Sequence, residues 1–226
     1  MSIFRKGFDK LFEEAASHFS DGEYHSSFAC SQMALEEAQH PEQIAKSFAM
    51  MAESMSRAGG RSVTLQRPLP ARVVAPPFQG TLTQPQYFQL LQLATIWWEK
   101  AGRKDQVVAT LFGAAAEYMR RGDYPNASTF FYNCAYEARR AGDRHTFANV
   151  MGELGDLERA MGRPQEALKY TWNAYVMFDE EKSPQKQIAD NVLREIEQEL
   201  GHPGYDQVLA AIKKEPLLWQ AGAGRA

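Results

Sequence analysis

Cysteine is scarce in this 226-residue chain: only Cys30 and Cys134 occur, 104 residues apart. Each stands among apolar neighbours at helical spacing, which suits a small buried hydrophobe, so neither a disulfide nor a catalytic thiol is expected. Long apolar runs are missing too. Nothing approaches the roughly 18 residues of a membrane span, and no membrane span is expected. Charge of one sign is not in excess either, since 25 Lys and Arg face 28 Asp and Glu for a formal charge of -3. That balance argues against a nucleic-acid partner. The five histidines include no pair at ligand spacing, and neither Cys-x-x-Cys nor His-Glu-x-x-His occurs. A metal site is therefore not expected. Gly59-Gly60-Arg61 lacks the Lys-Ser/Thr of a phosphate loop, which leaves no nucleotide or other cofactor motif. The acidic run Glu153, Asp156 and Glu158 reads as a solvated helix face, like Asp179-Glu180-Glu181, and no catalytic residue is assigned. The segment after Met1 lacks an apolar stretch followed by a cleavage site, so a cytoplasmic location is expected.

What the chain does have is 44% hydrophobic and 12% aromatic residues, enough for a sizeable core. It also has regular punctuation. Gly22, Gly59, Gly102, Gly122, Gly142, Gly162 and Gly201 each follow an apolar-periodic segment, as left-handed helix-ending residues should. Pro41, Pro85, Pro125, Pro164, Pro184 and Pro203 stand near the start of the next segment, where a fixed φ helps and a missing amide proton costs nothing. Glycines 102, 122, 142 and 162 are spaced by twenty residues, an internal repeat of helices joined by short turns. Within the units the apolar residues follow the helical period, as in Val107, Val108, Leu111, Phe112 and Ala115. The pattern predicts ten helices, at 3–20, 23–38, 41–58, 84–101, 104–121, 124–141, 144–161, 164–181, 184–200 and 203–214. Such short turns force consecutive helices to be antiparallel neighbours, and each pair must stack on the next to bury its apolar face. The expected fold class is all-α, an α-solenoid of about five antiparallel helix pairs; a compact bundle is the structural alternative. Residues 1–214 would form one repeat domain, interrupted by an insertion at 59–83 and followed by a tail at 215–226.

Leu154-Gly155, Gly162, Ala167 and Ala174, spread through the segment from Asn149, resemble a tetratricopeptide repeat. Gly22-Glu23-Tyr24 with Ala34-Leu35, and Gly122-Asp123-Tyr124 with Ala127 and Cys134-Ala135, look like two further copies. The units approach 40 residues where the family repeat has about 34, as in the long-helix members of this superfamily. The resemblance implies a right-handed solenoid in which the first helix of each pair lines a concave groove. Counting the lining positions back from each helix-ending glycine gives Phe12, Phe19, Phe112 and Met119 among the apolar ones and Asn149, Asp156 and Arg159 among the polar ones. Members that clamp an acidic C-terminus use Lys, Asn and Arg at set positions; here Phe12, Ala16, Met50, Ala109 and Gly113 stand there, which counts against a carboxylate clamp.

The insertion holds Arg61, Arg67 and Arg72, no acidic residue, four prolines, and apolar residues from Val63 to Phe78 and Leu82. That is more apolar surface than a solvated linker carries, so it reads as a docking arm, laid into the chain's own groove or presented to a partner. Its exchange for a short turn is expected to spare the fold. The tail brings Trp219, which is expected to dock on the solenoid end or to meet a partner, with a frayed terminus of no importance as the alternative. The expected function is a noncatalytic adaptor or scaffold for a protein or peptide partner, itself a possible subunit of a larger complex. Its contacts would be the groove residues together with Arg61, Arg67, Arg72, Phe78 and Trp219. An assembly or secretion chaperone, and a peptide or small-ligand sensor, are the alternatives.

Overall fold

The computed structural model describes residues 7–58, 65, 68–74 and 87–221. Helical periodicity and turn chemistry produce α1 (Phe8–Ser20), α2 (Tyr24–Glu37), α3 (Pro41–Arg57), α4 (Tyr87–Lys100), α5 (Lys104–Arg120), α6 (Tyr124–Ala141), α7 (Arg144–Ala160), α8 (Pro164–Glu180), α9 (Gln185–Leu200) and α10 (His202–Ile212). A single 3-10 turn, Ala71–Val73, lies between α3 and α4. There is no strand among the described residues. The architecture of the described residues is all-α.

The turns show how so little sequence joins such long helices. At the end of α7, Gly162 adopts φ +73°, its N–H donates to Arg159 O at 2.8 Å, and the N–H of Arg163 reaches back to Glu158 O at 2.9 Å. These two bonds satisfy carbonyls that the helix end would otherwise leave open and reverse the chain in about three residues. The same left-handed φ recurs at Gly22, Gly102, Gly122, Gly142 and Gly201; Gly59 lies outside the described residues. After α8 the position falls to Lys182, at φ +53°, with the same pair of bonds to Asp179 O and Phe178 O. The next helices start on side-chain caps, with Asp143 accepting from Thr146 N at 2.9 Å and Asp123 from Asn126 N at 3.4 Å.

The chain divides into two compact units, Met1–Thr110 and Leu111–Ala226. In the first, α1 packs on α2, α2 on α3 and α3 on α4. Phe28, Leu35, Phe48, Met51, Leu90 and Leu93 are fully buried there. Between α2 and α3 small residues allow close approach, and Ser54 Oγ donates to Ser27 Oγ at 2.9 Å with both side chains buried. The described part of the insertion belongs to this unit's core: Leu65, Leu69 and Val73 are buried. Arg72 donates to the carbonyls of Glu36 and Ala38, each at 2.8 Å, and of Leu35 at 3.3 Å, so its guanidinium caps the C-terminus of α2. Trp97 Nε1 donates to Val73 O at 2.9 Å. The insertion is thus partly structural, at odds with the expectation that it could be exchanged without loss.

In the second unit α6 packs on α7, α7 on α8 and α8 on α9, while the short α10 lies against both α8 and α9. α7 and α8 approach closely. Gly155 is where it happens, because a Cβ built there would come within 2.3 Å of Thr171 Oγ1. Adjacent aromatics divide between faces, as the helical period demands. Phe131 is fully buried, whereas Tyr132 is 46% exposed and shares a 2.7 Å hydrogen bond with the Tyr170 hydroxyl. Both cysteines are buried, and they form no disulfide with each other.

Candidate functional site

Successive turns of one helix face place Asn149, Gly152, Glu153 and Asp156 of α7 in a row, since residues three and four apart are surface neighbours. In the second unit this row forms one wall of a cavity of about 270 Å³. Phe112 of α5 contributes a second wall, and Gln185, Ile188, Ala189 and Val192 of α9 a third; Thr171 and Phe178 of α8 also line it. The cavity is therefore bounded by three helices of the odd-numbered series, with α8 contributing from the even one. Phe112 is held edge-on to the buried Phe131, with ring centroids 5.8 Å apart, so the aromatic wall is fixed from behind. Ile188 stands 65% exposed at the cavity.

The electrostatics are one-sided. Glu153 and Asp156 are half-buried, and no Lys, Arg or His is among the lining residues. Burial pushes the Glu153 carboxyl above its ordinary value, and Asp156 adds to the rise. Burial likewise raises Asp156, opposed by the Arg159 charge and reinforced by Glu195. Arg159, one turn further along α7, is occupied: it pairs with Glu195 and Glu199 of α9, each at 2.7 Å. The acidic run is not a uniformly solvated face. Two of its members line the cavity, and Glu158 is buried with Arg163 3.4 Å away. This corrects the sequence expectation; periodicity alone does not distinguish a solvent face from a cavity wall.

Of the residues singled out from sequence, Phe112, Asn149 and Asp156 meet at this cavity, and Arg159 braces α7 against α9 beside it. Met119 is half-buried on α5 and not among the lining residues. Phe12 and Phe19 belong to the first unit, half-buried, with Phe12 stacked on Phe8 at 5.6 Å and Phe19 edge-on to Tyr24 at 5.4 Å. Arg72 caps α2. Arg61, Arg67 and Phe78 lie outside the described residues. Trp219 docks on its own chain, 5.1 Å from Phe147, where Leu218 N donates to Asn173 Oδ1 at 2.7 Å and Arg139 donates to Leu218 O. A second cavity, of about 310 Å³, lies between α8, Ile212, Lys213 and this tail. The α9 wall was not named from sequence, although a signal was present in Ile188 and Val192, four apart.

Among the described residues no three His, Cys, Asp or Glu side chains converge so as to hold a metal ion, and no helix is long and apolar enough to cross a membrane. Burial, with a contribution from Asp143, pushes the Cys134 thiol up to about 12, so it is not a nucleophile at neutral pH.

No protein-family model matches the sequence, and no curated protein does. Solved structures do resemble the fold. BtubC (BKLC) from P. vanneervenii superposes with a TM-score of 0.62 at 13% identity, covering 96% of this chain and 82% of that one. The kinesin-light-chain, nearly identical TPR-like repeats of Podosopora anserina give 0.58 at 14% identity, covering 97% of both chains. A Rap protein complexed with Competence and Sporulation Factor gives 0.51 at 16% identity, covering 90% of this chain and 51% of that one. At such identities the likeness concerns the fold alone: the chain folds like these tetratricopeptide-like helical-repeat proteins.

Proposed function

We propose that this protein is a noncatalytic adaptor or scaffold that binds a partner protein through a segment entering the cavity of the second unit. The observation that carries this reading is the convergence of Phe112, Asn149 and Asp156, three groove positions spaced along the sequence, on one cavity whose remaining walls are largely apolar. Concave sites of this kind, mostly apolar with a few polar groups, are where ligands are bound. Among the structural neighbours, the Rap protein carries a bound molecule, Competence and Sporulation Factor. The cavity is small beside the roughly 300–1,000 Å³ of typical ligand sites, and it is acidic on one wall. Both features favour recognition of a short segment over the shielding of a long apolar client, so the adaptor reading is preferred to the chaperone one.

Gly152 supplies the test. It stands in the cavity wall with nothing within 4 Å of a Cβ built on it, so Gly152→Trp would fill the cavity without a clash at its base. Affinity capture from the native source with the wild type and this variant should yield a partner that the variant loses while its circular dichroism is unchanged. Equal recovery of the same partner by both would defeat the proposal.

A further inference from the structure

The cavity holds negative charge with nothing in it to match. Neither Glu153 nor Asp156 accepts a hydrogen bond or forms an ion pair among the described residues, although both are half-buried. The nearest cation on their own helix, Arg159, is held by two glutamates of α9. Thr171 also lines the cavity; its side chain is 1% exposed and its hydroxyl oxygen has no hydrogen-bond partner. A buried hydroxyl without a partner and half-buried carboxylates that accept no hydrogen bond each carry a desolvation cost that an arriving donor would offset. Phe112 and Phe178 supply ring surface, and an aromatic face attracts a cation as well as an apolar stem. At about 270 Å³ the space suits one long side chain and its immediate neighbour, not a folded element.

Resting on the reading of this cavity as the partner site, we infer that its ligand is a peptide segment that inserts a cationic nitrogen between Glu153 and Asp156, with an apolar residue beside it against Phe112 and Ile188. A lysine or arginine side chain or a chain N-terminus supplies the nitrogen, because the three share the property the site selects: a positive charge carrying hydrogen-bond donors on an apolar stem. Each charge-assisted hydrogen bond to a half-buried carboxylate is expected to change affinity by about tenfold or more.

The test uses the full chain and octapeptide mixtures with apolar residues at the flanking positions. Four mixtures are acetylated and amidated and fix the central position as arginine, lysine, citrulline or glutamate; a fifth fixes leucine and keeps a free N-terminus. Equilibrium dialysis measures retention by the wild type, by Gly152→Trp and by the double variant Glu153→Gln, Asp156→Asn, which is isosteric and should melt no lower than the wild type. At least one of the arginine, lysine and free-amine mixtures should be retained about tenfold better than citrulline, and which one leads identifies the source of the cation. That preference should vanish in the double variant, and all retention should vanish in Gly152→Trp. Equal retention of arginine, lysine, free-amine and citrulline mixtures, blocked by Gly152→Trp, would overturn cation recognition and leave the cavity as the partner site. A preference for glutamate would overturn it as well. Retention of no mixture, or retention unaffected by Gly152→Trp, would overturn both.

Discussion

Gly155 gives the sharpest way to test how α7 and α8 are held together. Replacing it by alanine has two opposed effects. An alanine in a helix interior is favoured over glycine by about 1 kcal/mol. Here, however, the added Cβ would come within 2.3 Å of Thr171 Oγ1 and 3.4 Å of Ala167 O, in a contact where Gly155 and Thr171 are both buried. Thr171 is β-branched and stiff at χ1, so relief requires an unfavourable rotamer or separation of the helices, an overpacking cost of about 1–3 kcal/mol. The net expectation for Gly155→Ala is a loss of about 1 kcal/mol, read as a fall in Tm of about 2–4 °C for a chain of this size. Gly113 of α5 is the internal control. It is exposed, and a Cβ built on it meets nothing within 4 Å, so Gly113→Ala should gain about 0.5–1 kcal/mol. The double variant Gly155→Ala, Thr171→Ala removes the clashing oxygen and should recover about 1 kcal/mol or more relative to the sum of the single changes. Thermal and urea melts of the four proteins measure the cycle. If Gly155→Ala stabilises as Gly113→Ala does, or if the cycle shows additivity, the close approach of the two helices is not what places glycine there.

Leu69→Ala, within the insertion, should cost about 2–4 kcal/mol in urea unfolding, because Leu69 is 4% exposed in the first unit's core. A change under about 0.5 kcal/mol would show the insertion to be an undocked arm. Lys182→Gly should stabilise by about 1 kcal/mol, since Lys182 holds the φ of +53° that glycine holds in the sister turns; a loss of stability would contradict the turn geometry. Cys134 should resist N-ethylmaleimide in the native protein at neutral pH and react once urea unfolds it, because burial both covers the thiol and pushes its pKa up to about 12. Alkylation at the same rate in both states would refute its burial.

The site was legible in parts. Phe112, Asn149 and Asp156 could be named by counting back from helix-ending glycines, because a fixed helix length gives each position a fixed direction. Glu153 could not: on paper it belongs to the same acidic run as Glu158, yet one lines a cavity and the other is buried beside Arg163. Arg72 looked like a contact offered to a partner, and Trp219 like either that or a residue docked on the chain's own end. Each finds a partner within its own unit, Arg72 on the end of α2 and Trp219 on Phe147. Both pairings join residues at least 34 positions apart, and local pattern carries no information about them.

The sequence by itself determined the helices, their lengths and their turns. Apolar periodicity, proline at helix starts and glycine at helix ends all act within a few residues, and helix formation answers to such short-range preferences. Tertiary structure decided which faces meet. It drew part of the insertion into a core, folded the tail back onto α7 and α8, and turned two carboxylates of α7 towards a shared cavity with α5, α8 and α9. Those outcomes depend on burial and packing between distant segments, where the same residue type is a solvated charge on one turn and the wall of a site on the next.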